Sequence, residues 1–314
     1  MSDIIYSSSS IKYKNGKIQY KNYKSTSDSM YQIASCSKFV TSIIVAKLYE
    51  LGKLDYTTDI NKYLKKWKCP KKGVTLKHLL THTSGTTDRN GYLGKELYQN
   101  YKQNLQLNMD ILNGISYSKP FNITKPIGKE FNYSGAGYQV IQQVLEEITN
   151  KRLYQLLEQY IFKPLKMKNS TGKLLYEGKH KYKLCDTNGL YRLYPETAAA
   201  GLWMSCNDLL ILVKDLMNGY NDNQSKILTQ ETIQKITKGE HPEWNNIFSN
   251  YGLGMFVNKD DDNISPLFAH NGENYAYMMH FHCIPDKQII EIIMINHSPK
   301  YYNNVMSKAK KLMK

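Results

Sequence analysis

Alternating apolar and polar residues near both ends of the chain predict β-strands. Residues 4–23 alternate loosely around Asn15-Gly16, a dipeptide typical of a tight hairpin turn. Residues 251–257, 275–284 and 288–296 are rich in β-branched and aromatic side chains, and a Pro-Asp-Lys turn is predicted to join the last two as a hairpin. We therefore expect one antiparallel sheet to which both termini contribute strands.

Between these ends, apolar residues recur mostly at helical spacing. Residues 39–51 read FVTSIIVAKLYEL and are followed by Gly52, a residue common just after a helix end. Residues 57–207 otherwise read as helices and loops. Further helices are predicted at residues 74–80 with Thr75 as cap, at 138–149, at 153–161, after Ser205 with Asp208 completing a variant capping box, and at the Lys-rich residues 302–313.

Together these elements predict an α+β fold. Its antiparallel sheet is built from both termini and flanked by helices, with an all-helical insertion lobe. Residues 1–56 and 208–314 are expected to form the sheet domain, and residues 57–207 the mainly helical lobe. Ligands favour the cleft between two such lobes, so the active site is expected there.

Length and composition exclude several classes of protein. The chain has 314 residues, 41% hydrophobic and 12% aromatic, which is enough apolar material for a sizeable core and argues against disorder. The longest apolar run, residues 289–295, is interrupted by Glu291 and is far too short to cross a bilayer. We therefore expect no membrane span.

Two further features bear on the compartment. The first residues, MSDIIYSSSSIKYKNGK, lack the basic, apolar and small-residue segments of a secretory signal. If Met1 is the native start, we expect the protein in the cytoplasm. The five cysteines are widely spread without a C-x-x-C pair, which favours reduced thiols over a disulfide framework or a zinc ribbon.

The net charge of +15, from 42 Lys and Arg against 27 Asp and Glu, has two interpretations. It could attract a polyanion such as RNA or an anionic surface. It could also reflect coding bias, since Lys, Asn, Ile and Tyr are abundant together. The lysines are spread along the chain with one modest cluster in residues 65–72, and no nucleic-acid motif accompanies them. We favour coding bias, and expect nucleic acid to bind only through non-specific charge.

The segment Ser35-Cys36-Ser37-Lys38 carries the strongest candidate chemistry. A serine three residues before a lysine shares a helix face with it. An uncharged lysine amine there could take the serine proton and make the oxygen nucleophilic. Because Ser35 is at the front of the apolar segment of residues 39–51, we expect it in the first turn of that helix. Free backbone N–H groups and the helix dipole favour a developing anion there.

Further motifs follow in a fixed order. Tyr133-Ser134-Gly135 comes just before the predicted helix of residues 138–149, and His270-Asn271-Gly272 precedes the predicted strand of residues 275–284. With the S-x-x-K segment they make the chain resemble the serine β-lactamase and penicillin-binding-protein superfamily, in its class C-like branch of β-lactamases, D-aminopeptidases, DD-peptidases and esterases. Supporting similarities are LLTHTSG, KPL-M, AGLWMS and YGLGM. The resemblance implies a β-lactamase/transpeptidase-like fold that needs neither metal nor organic cofactor.

The resemblance also implies a role for each motif residue. Ser35 would attack a carbonyl and become acylated, with Lys38, its pKa depressed between the lobes, as the base. Tyr133 would pass a proton to the leaving group. His270 would lie on the edge strand opposite Ser35 and bind a substrate carboxylate or steer protons.

The remaining implied residues concern substrate binding. The backbone N–H groups of Ser35 and Glu273 would form the oxyanion hole. Asn271 and Gly272 would line the substrate, the glycine leaving room for its backbone. Gly135 stands where family β-lactamases have an asparagine that holds the substrate amide. That departure disfavours efficient β-lactam hydrolysis and is compatible with esters or other amides.

Other histidines offer weaker signals. His82 and Ser84 with Asp88 suggest a catalytic triad, but the resemblance instead assigns the THTSG segment to shaping a loop of the helical lobe. His280 and His282 would share one face of a strand and could bind metal. No third ligand is evident, so packing is the favoured interpretation and no metal site is predicted.

The sequence thus predicts a serine hydrolase that acts through an acyl-enzyme on a small amide, ester or β-lactam substrate. Two alternatives stay open at this point. A catalytically weak relative could serve as a penicillin-binding-like or scaffold protein, motivated by Gly135. The basic surface could instead bind RNA. The oligomeric state is also open.

Overall fold

The computed structural model describes residues 5–87, 108–115, 119–175, 181–185, 193–242, 250–258 and 265–297. Within them the chain forms two antiparallel sheets. The strands in chain order are β1 (Ile5–Lys14), β2 (Lys17–Tyr23), β3 (Met30–Gln32), β4 (Ser170–Thr171), β5 (Trp203–Ser205), β6 (His241–Pro242), β7 (Asn250–Tyr251), β8 (Phe256–Val257), β9 (Phe268–Asn274), β10 (Tyr277–Ile284) and β11 (Ile289–His297).

The larger sheet joins the two ends of the chain. Its order is β2-β1-β11-β10-β9-β8-β7-β6, and β1 pairs antiparallel with β11. The hairpin between β1 and β2 turns at Asn15 and Gly16, both with positive φ (47° and 83°), as a two-residue turn of this kind requires. The predicted sheet built from both termini is confirmed.

The helices lie between these groups of strands. They are α1 (Ser37–Glu50), α2 (Leu76–Leu80), α3 (Asn108–Leu112), α4 (Gly135–Thr149), α5 (Leu153–Leu157), α6 (Thr197–Ala200), α7 (Cys206–Asp222) and α8 (Gln230–Ile236). A π-helical turn, Glu158–Phe162, continues α5, and 3-10 turns occur at Ala34–Cys36, Ile60–Lys62 and Pro285–Lys287. The predicted caps at Thr75 and Ser205 are confirmed, since each hydroxyl accepts the backbone N–H three residues later.

Helix α1 runs through the interior. Every residue from Ser37 to Ala46 is buried, which fits a segment that is apolar on nearly all sides. It contacts α4, α6 and α8, while α7 packs on β1 and β11. A continuous cluster of buried apolar side chains includes residues of both the large sheet and the helices.

Three expectations are corrected by the structure. Residues 251–257 form two short strands, β7 and β8, because a turn with Gly254 at φ 105° separates them. Residues 57–207 contain β4 and β5, and β5 pairs with β3 on one side and with β4 on the other in a second sheet of order β3-β5-β4. Ser35 lies in the 3-10 turn before α1 and not in the first turn of the α-helix.

The remaining expectations concern the last predicted helix, the domain division, the cysteines and a membrane span. The helix predicted at residues 302–313 lies outside the described residues, and the division into two domains stays a prediction. All five cysteines are free and buried. Within the described ranges, every helix is too short or too polar to cross a bilayer.

Candidate active site

Ser35 is held by strands of the smaller sheet. Strand β3 pairs with β5 and leads directly into the 3-10 turn. The Ile33 N–H donates to the Leu202 carbonyl at 3.0 Å, and the Leu202 N–H donates to the Ser37 hydroxyl oxygen at 3.1 Å. These bonds fasten the turn on both sides of Ser35, which is itself only partly buried. The serine therefore combines a fixed backbone with an accessible hydroxyl.

Lys38 lies one turn further, at the start of α1. Its side chain is 1% exposed, and its Nζ donates to Ser35 Oγ at 3.1 Å and to the Ala199 carbonyl at 2.9 Å. The same Nζ lies 4.8 Å from the centroid of the Tyr133 ring. The structure thus brings together three residues that the sequence analysis assigned to catalysis.

Tyr133 sits in the loop that leads into α4. The next residue, Ser134, caps this helix by accepting the Gly137 N–H at 3.3 Å, and Gly135 is its buried first residue. The Tyr133 ring is half-buried, with its centroid 4.2 Å from that of His82 and 6.5 Å from that of Tyr251. Aromatic packing therefore holds the tyrosine beside Lys38.

His82 belongs to this site, although the sequence analysis assigned its segment only to loop shape. Its Nδ1 accepts the Ser134 N–H at 3.0 Å, and its carbonyl accepts the Asn132 N–H at 2.7 Å. Burial, with the Lys38 charge as a smaller cause, holds the pKa of His82 well below its ordinary value. Asp88, the third member of the rejected triad, lies outside the described residues.

His270 is buried on β9 and uses both ring nitrogens. Its Nδ1 lies 2.6 Å from the Asn271 carbonyl, so this nitrogen donates, and Nε2 accepts the Tyr251 hydroxyl at 3.1 Å. Burial, followed by the Lys38 charge, lowers the pKa of His270 to about 3. The imidazole, which is only 1% exposed, is therefore uncharged at neutral pH. Tyr251 comes from the YGLGM segment, which was the only sequence signal for it.

Strand β9 approaches the Ser35 turn through its glycine. A Cβ at Gly272 would overlap the Ile33 carbonyl oxygen, so the glycine is required by this close packing. Contact between Gly272 and substrate stays a prediction. Strand β8 pairs only with Phe268 and Ala269, so β9 is not the edge strand of the sheet, but no described strand pairs with it on that side from His270 onward.

Successive side chains of β9 point to opposite faces of the sheet, so the other motif residues do not all face the same side. Gly272 is buried, whereas Asn271 and Glu273 are exposed. The Asn271 Oδ1 lies 2.5 Å from Nδ1 of His280, on the face away from Ser35. The structure therefore does not bring the Asn271 side chain to Ser35. The roles of Gly135 and of the Glu273 backbone N–H stay predictions.

The two histidines on β10, His280 and His282, contact each other and other side chains of the same chain. His280 Nε2 and His282 Nδ1 lie 3.1 Å apart, and His282 Nε2 is 3.7 Å from a Glu291 carboxylate oxygen. Burial lowers the pKa of His280 to about 4. Across the described part of the chain, no three His, Cys, Asp or Glu side chains form a group that could hold a metal ion.

The sequence of the chain is similar to those of known proteins. The family model described as Beta-lactamase matches residues 10–308. Protein flp of Staphylococcus aureus is 27% identical over 251 residues, which are 76% of this chain and 48% of that protein. The chain thus spans about half the length of this curated relative.

Solved structures share the fold at lower identity. The octameric penicillin-binding protein homologue from Pyrococcus abyssi superposes with a TM-score of 0.74 at 22% identity, covering 95% of this chain and 71% of that one. A D-stereospecific amidohydrolase from Streptomyces sp. gives a TM-score of 0.74 at 16% identity, covering 95% and 91%. At these identities the similarity shows the fold alone.

Proposed function

The chain belongs to the Beta-lactamase family, and on that basis we propose that it is a serine hydrolase that forms an acyl-enzyme on Ser35. One observation carries the proposal: the buried Lys38 Nζ lies 3.1 Å from Ser35 Oγ. This is hydrogen-bond distance, which a general base needs in order to take the hydroxyl proton. Burial disfavours a charged ammonium, and a base must be uncharged.

In the acylation step, Ser35 Oγ bonds to the substrate carbonyl carbon while its proton moves to Lys38 Nζ. A neutral amine can accept that proton with its lone pair and still donate to the Ala199 carbonyl, 2.9 Å away. The negative charge on the carbonyl oxygen would be stabilised by backbone N–H groups of Ser35 and Glu273. Attack therefore begins with a neutral Lys38 amine and leaves it as an ammonium.

Collapse of this intermediate releases the leaving group. The bond from carbonyl carbon to the leaving oxygen or nitrogen breaks, and Tyr133 supplies a proton to that atom. Tyr133 then regains a proton from the Lys38 ammonium, whose Nζ lies 4.8 Å from the tyrosine ring centroid. Water next attacks the acyl-enzyme by the reverse sequence of proton transfers, which restores Ser35.

The substrate class we propose is a small amide, ester or β-lactam, with neutral amides and esters favoured. His270 is neutral and both of its ring nitrogens are engaged by protein atoms, so it offers no positive charge to a substrate carboxylate. Gly135 offers no side-chain amide to hold the substrate. A structurally similar protein is a D-stereospecific amidohydrolase, which supports amides as one class.

A turnover assay tests the proposal. Purified protein is incubated with a 4-nitrophenyl ester, a D-amino acid 4-nitroanilide and a chromogenic cephalosporin, beside the Ser35→Ala variant. We expect hydrolysis of at least one substrate by the wild type, with an initial burst where deacylation is slower than acylation, and none by the variant. Hydrolysis of none, or hydrolysis that persists without the Ser35 hydroxyl, contradicts the proposal.

A further inference from the structure

His82 lies directly beneath the catalytic tyrosine, although it belongs to none of the three motifs that carry the proposed chemistry. It follows α2 and is 1% exposed. The centroids of the His82 and Tyr133 rings are 4.2 Å apart, with an interplanar angle of 34°. His82 also packs on Phe131 and Tyr251, at centroid distances of 5.6 and 4.9 Å. Its ring therefore forms one wall of the space that Tyr133 occupies.

The same histidine binds the backbone on both sides of Tyr133. The Asn132 N–H donates to the His82 carbonyl at 2.7 Å, and the Ser134 N–H donates to His82 Nδ1 at 3.0 Å. One bond comes from the main chain of His82 and the other from its side chain. The two residues that flank Tyr133 are thus fixed by a single residue, which leaves the tyrosine backbone little freedom.

This arrangement requires one protonation state of the imidazole. Nδ1 can accept the Ser134 N–H only if it carries no proton, so the ring proton resides on Nε2. A cationic ring would point an Nδ1–H bond at the Ser134 N–H and break the contact. Burial is the main reason that the ring stays neutral, and the nearby groups Lys38 and His270 oppose a further positive charge.

The backbone of His82 is itself in an uncommon conformation. Its φ is 58°, in the left-handed region that costs a non-glycine residue about 1 kcal/mol or more. The surrounding bonds, from the His82 N–H to the Leu79 carbonyl and from the Thr83 N–H to the His78 carbonyl, hold it there at 3.3 and 2.8 Å. Such strain is expected where it directs a side chain to a particular place.

We propose that His82 is a positioning residue that holds Tyr133 where it can protonate the leaving group. The inference rests on the proposed function, since it concerns the same site. His82 does not touch substrate; it acts through the Asn132 and Ser134 peptide groups and through its ring. In the acylation step, its loss should therefore impair only those substrates whose leaving group needs a proton.

The test compares two esters of the same acyl group, one with a 4-nitrophenol and one with an ethanol leaving group. The 4-nitrophenolate departs as an anion, whereas ethoxide must be protonated. Because kcat/KM reports acylation, the step in which the leaving group departs, we compare this constant for the two esters. For His82→Leu we expect the kcat/KM ratio of ethyl to 4-nitrophenyl ester to fall by about 10²-fold, as a misplaced catalytic group does. His82→Asn should retain a near wild-type ratio, because asparagine Oδ1 corresponds to histidine Nδ1 and asparagine tolerates positive φ.

A double-mutant cycle assigns the effect to Tyr133. Added to Tyr133→Phe, His82→Leu should cause no further change in the ratio, because the group it positions is already absent. Equal losses on both esters, the same loss in His82→Asn, or a full additional effect in the Tyr133→Phe background would overturn the inference. If the wild type shows no Ser35-dependent hydrolysis, the proposed function itself falls. If it does, and the ratio does not respond to His82→Leu, only the role of His82 falls.

Discussion

The backbone of Gly272 on β9 packs against the carbonyl oxygen of Ile33, the residue two positions before Ser35. A Cβ at Gly272 would overlap that oxygen, and backbone at this position has no free rotamer with which to move away. The contact joins the large sheet to the turn that presents Ser35. We therefore expect the position of Ser35 to depend on a glycine far away in the chain.

Replacing this glycine should therefore disturb both stability and activity. We expect Gly272→Ala to lower the free energy of unfolding by about 1–3 kcal/mol, as overpacking does. Because the displaced group is the Ile33 carbonyl, labelling of Ser35 by a fluorophosphonate should also slow. Urea unfolding and the labelling rate measure the two effects.

Gly137→Ala is the matched control. Gly137 lies inside α4, where an added Cβ would have its nearest neighbour at 3.6 Å, an ordinary contact. Alanine is the better helix former, so stability should be unchanged or rise by up to about 1 kcal/mol. Equal behaviour of the two variants would show that the close approach at Gly272 does not matter.

Lys38→Met should remove the proposed base and leave the fold largely intact. Methionine is unbranched and apolar, so it suits the buried start of α1. We expect the acylation rate of Ser35 to fall by about 10²–10⁴-fold, the usual contribution of a general base.

The control is Lys47→Met on the same helix. Lys47 pairs with Glu50 at 3.0 Å, near the other end of α1, and has no role in the proposed chemistry. Its loss should leave acylation at the wild-type rate. Acylation that is equally fast in both variants would require a base other than Lys38.

Stability should depend on pH through His270. The folded-state pKa of His270 is about 3, below the ordinary value of 6.5. As pH falls below about 6.5, the unfolded chain takes up a proton on this residue and the folded protein does not. The free energy of unfolding is therefore greatest above about pH 6.5 and decreases as pH falls toward 3. Between pH 7 and pH 4.5 this amounts to about 3 kcal/mol. Urea unfolding over that range should show a steeper loss for wild type than for His270→Gln. If the free energy of unfolding of the two proteins decreased equally with pH, the pKa of His270 would not be lowered in the folded protein, which would contradict the prediction.

Substrate charge offers a separate prediction. Because His270 is neutral and engaged by Tyr251 and by its neighbouring carbonyl, a carboxylate on the substrate should gain no strong partner from this residue. For matched esters with and without a carboxylate, we expect kcat/KM to be at least as high for the neutral ester. A preference for the carboxylate that disappears in His270→Gln would contradict this account.

Local chemistry explains which elements the sequence could predict. The hairpin at Asn15-Gly16 follows from two residues that adopt positive φ, and the caps at Thr75 and Ser205 follow from hydroxyls that accept a backbone N–H. The family motifs likewise identified Ser35, Lys38 and Tyr133, which the structure brings together.

Features without a local pattern could not be predicted. Strands β4 and β8 have two residues each, too few to show a period of two. The hydrogen bonds that hold the backbone on both sides of Tyr133 come from His82, a residue far away in the chain. In the sequence, only the THTSG segment pointed to His82. The neutrality of His270 depends mainly on its burial, which sequence motifs do not show.

The most direct test of the central claim is intact-mass spectrometry after incubation with a fluorophosphonate and with a fluorescent penicillin. Wild type is measured beside Ser35→Ala, whose folding is verified by its thermal melt. We expect wild type to gain the mass of one fluorophosphonyl group and Ser35→Ala to gain none, while the decay of any penicilloyl adduct measures deacylation. A wild-type protein that gains neither adduct, or an adduct that persists in Ser35→Ala, would contradict the assignment of Ser35 as the activated nucleophile.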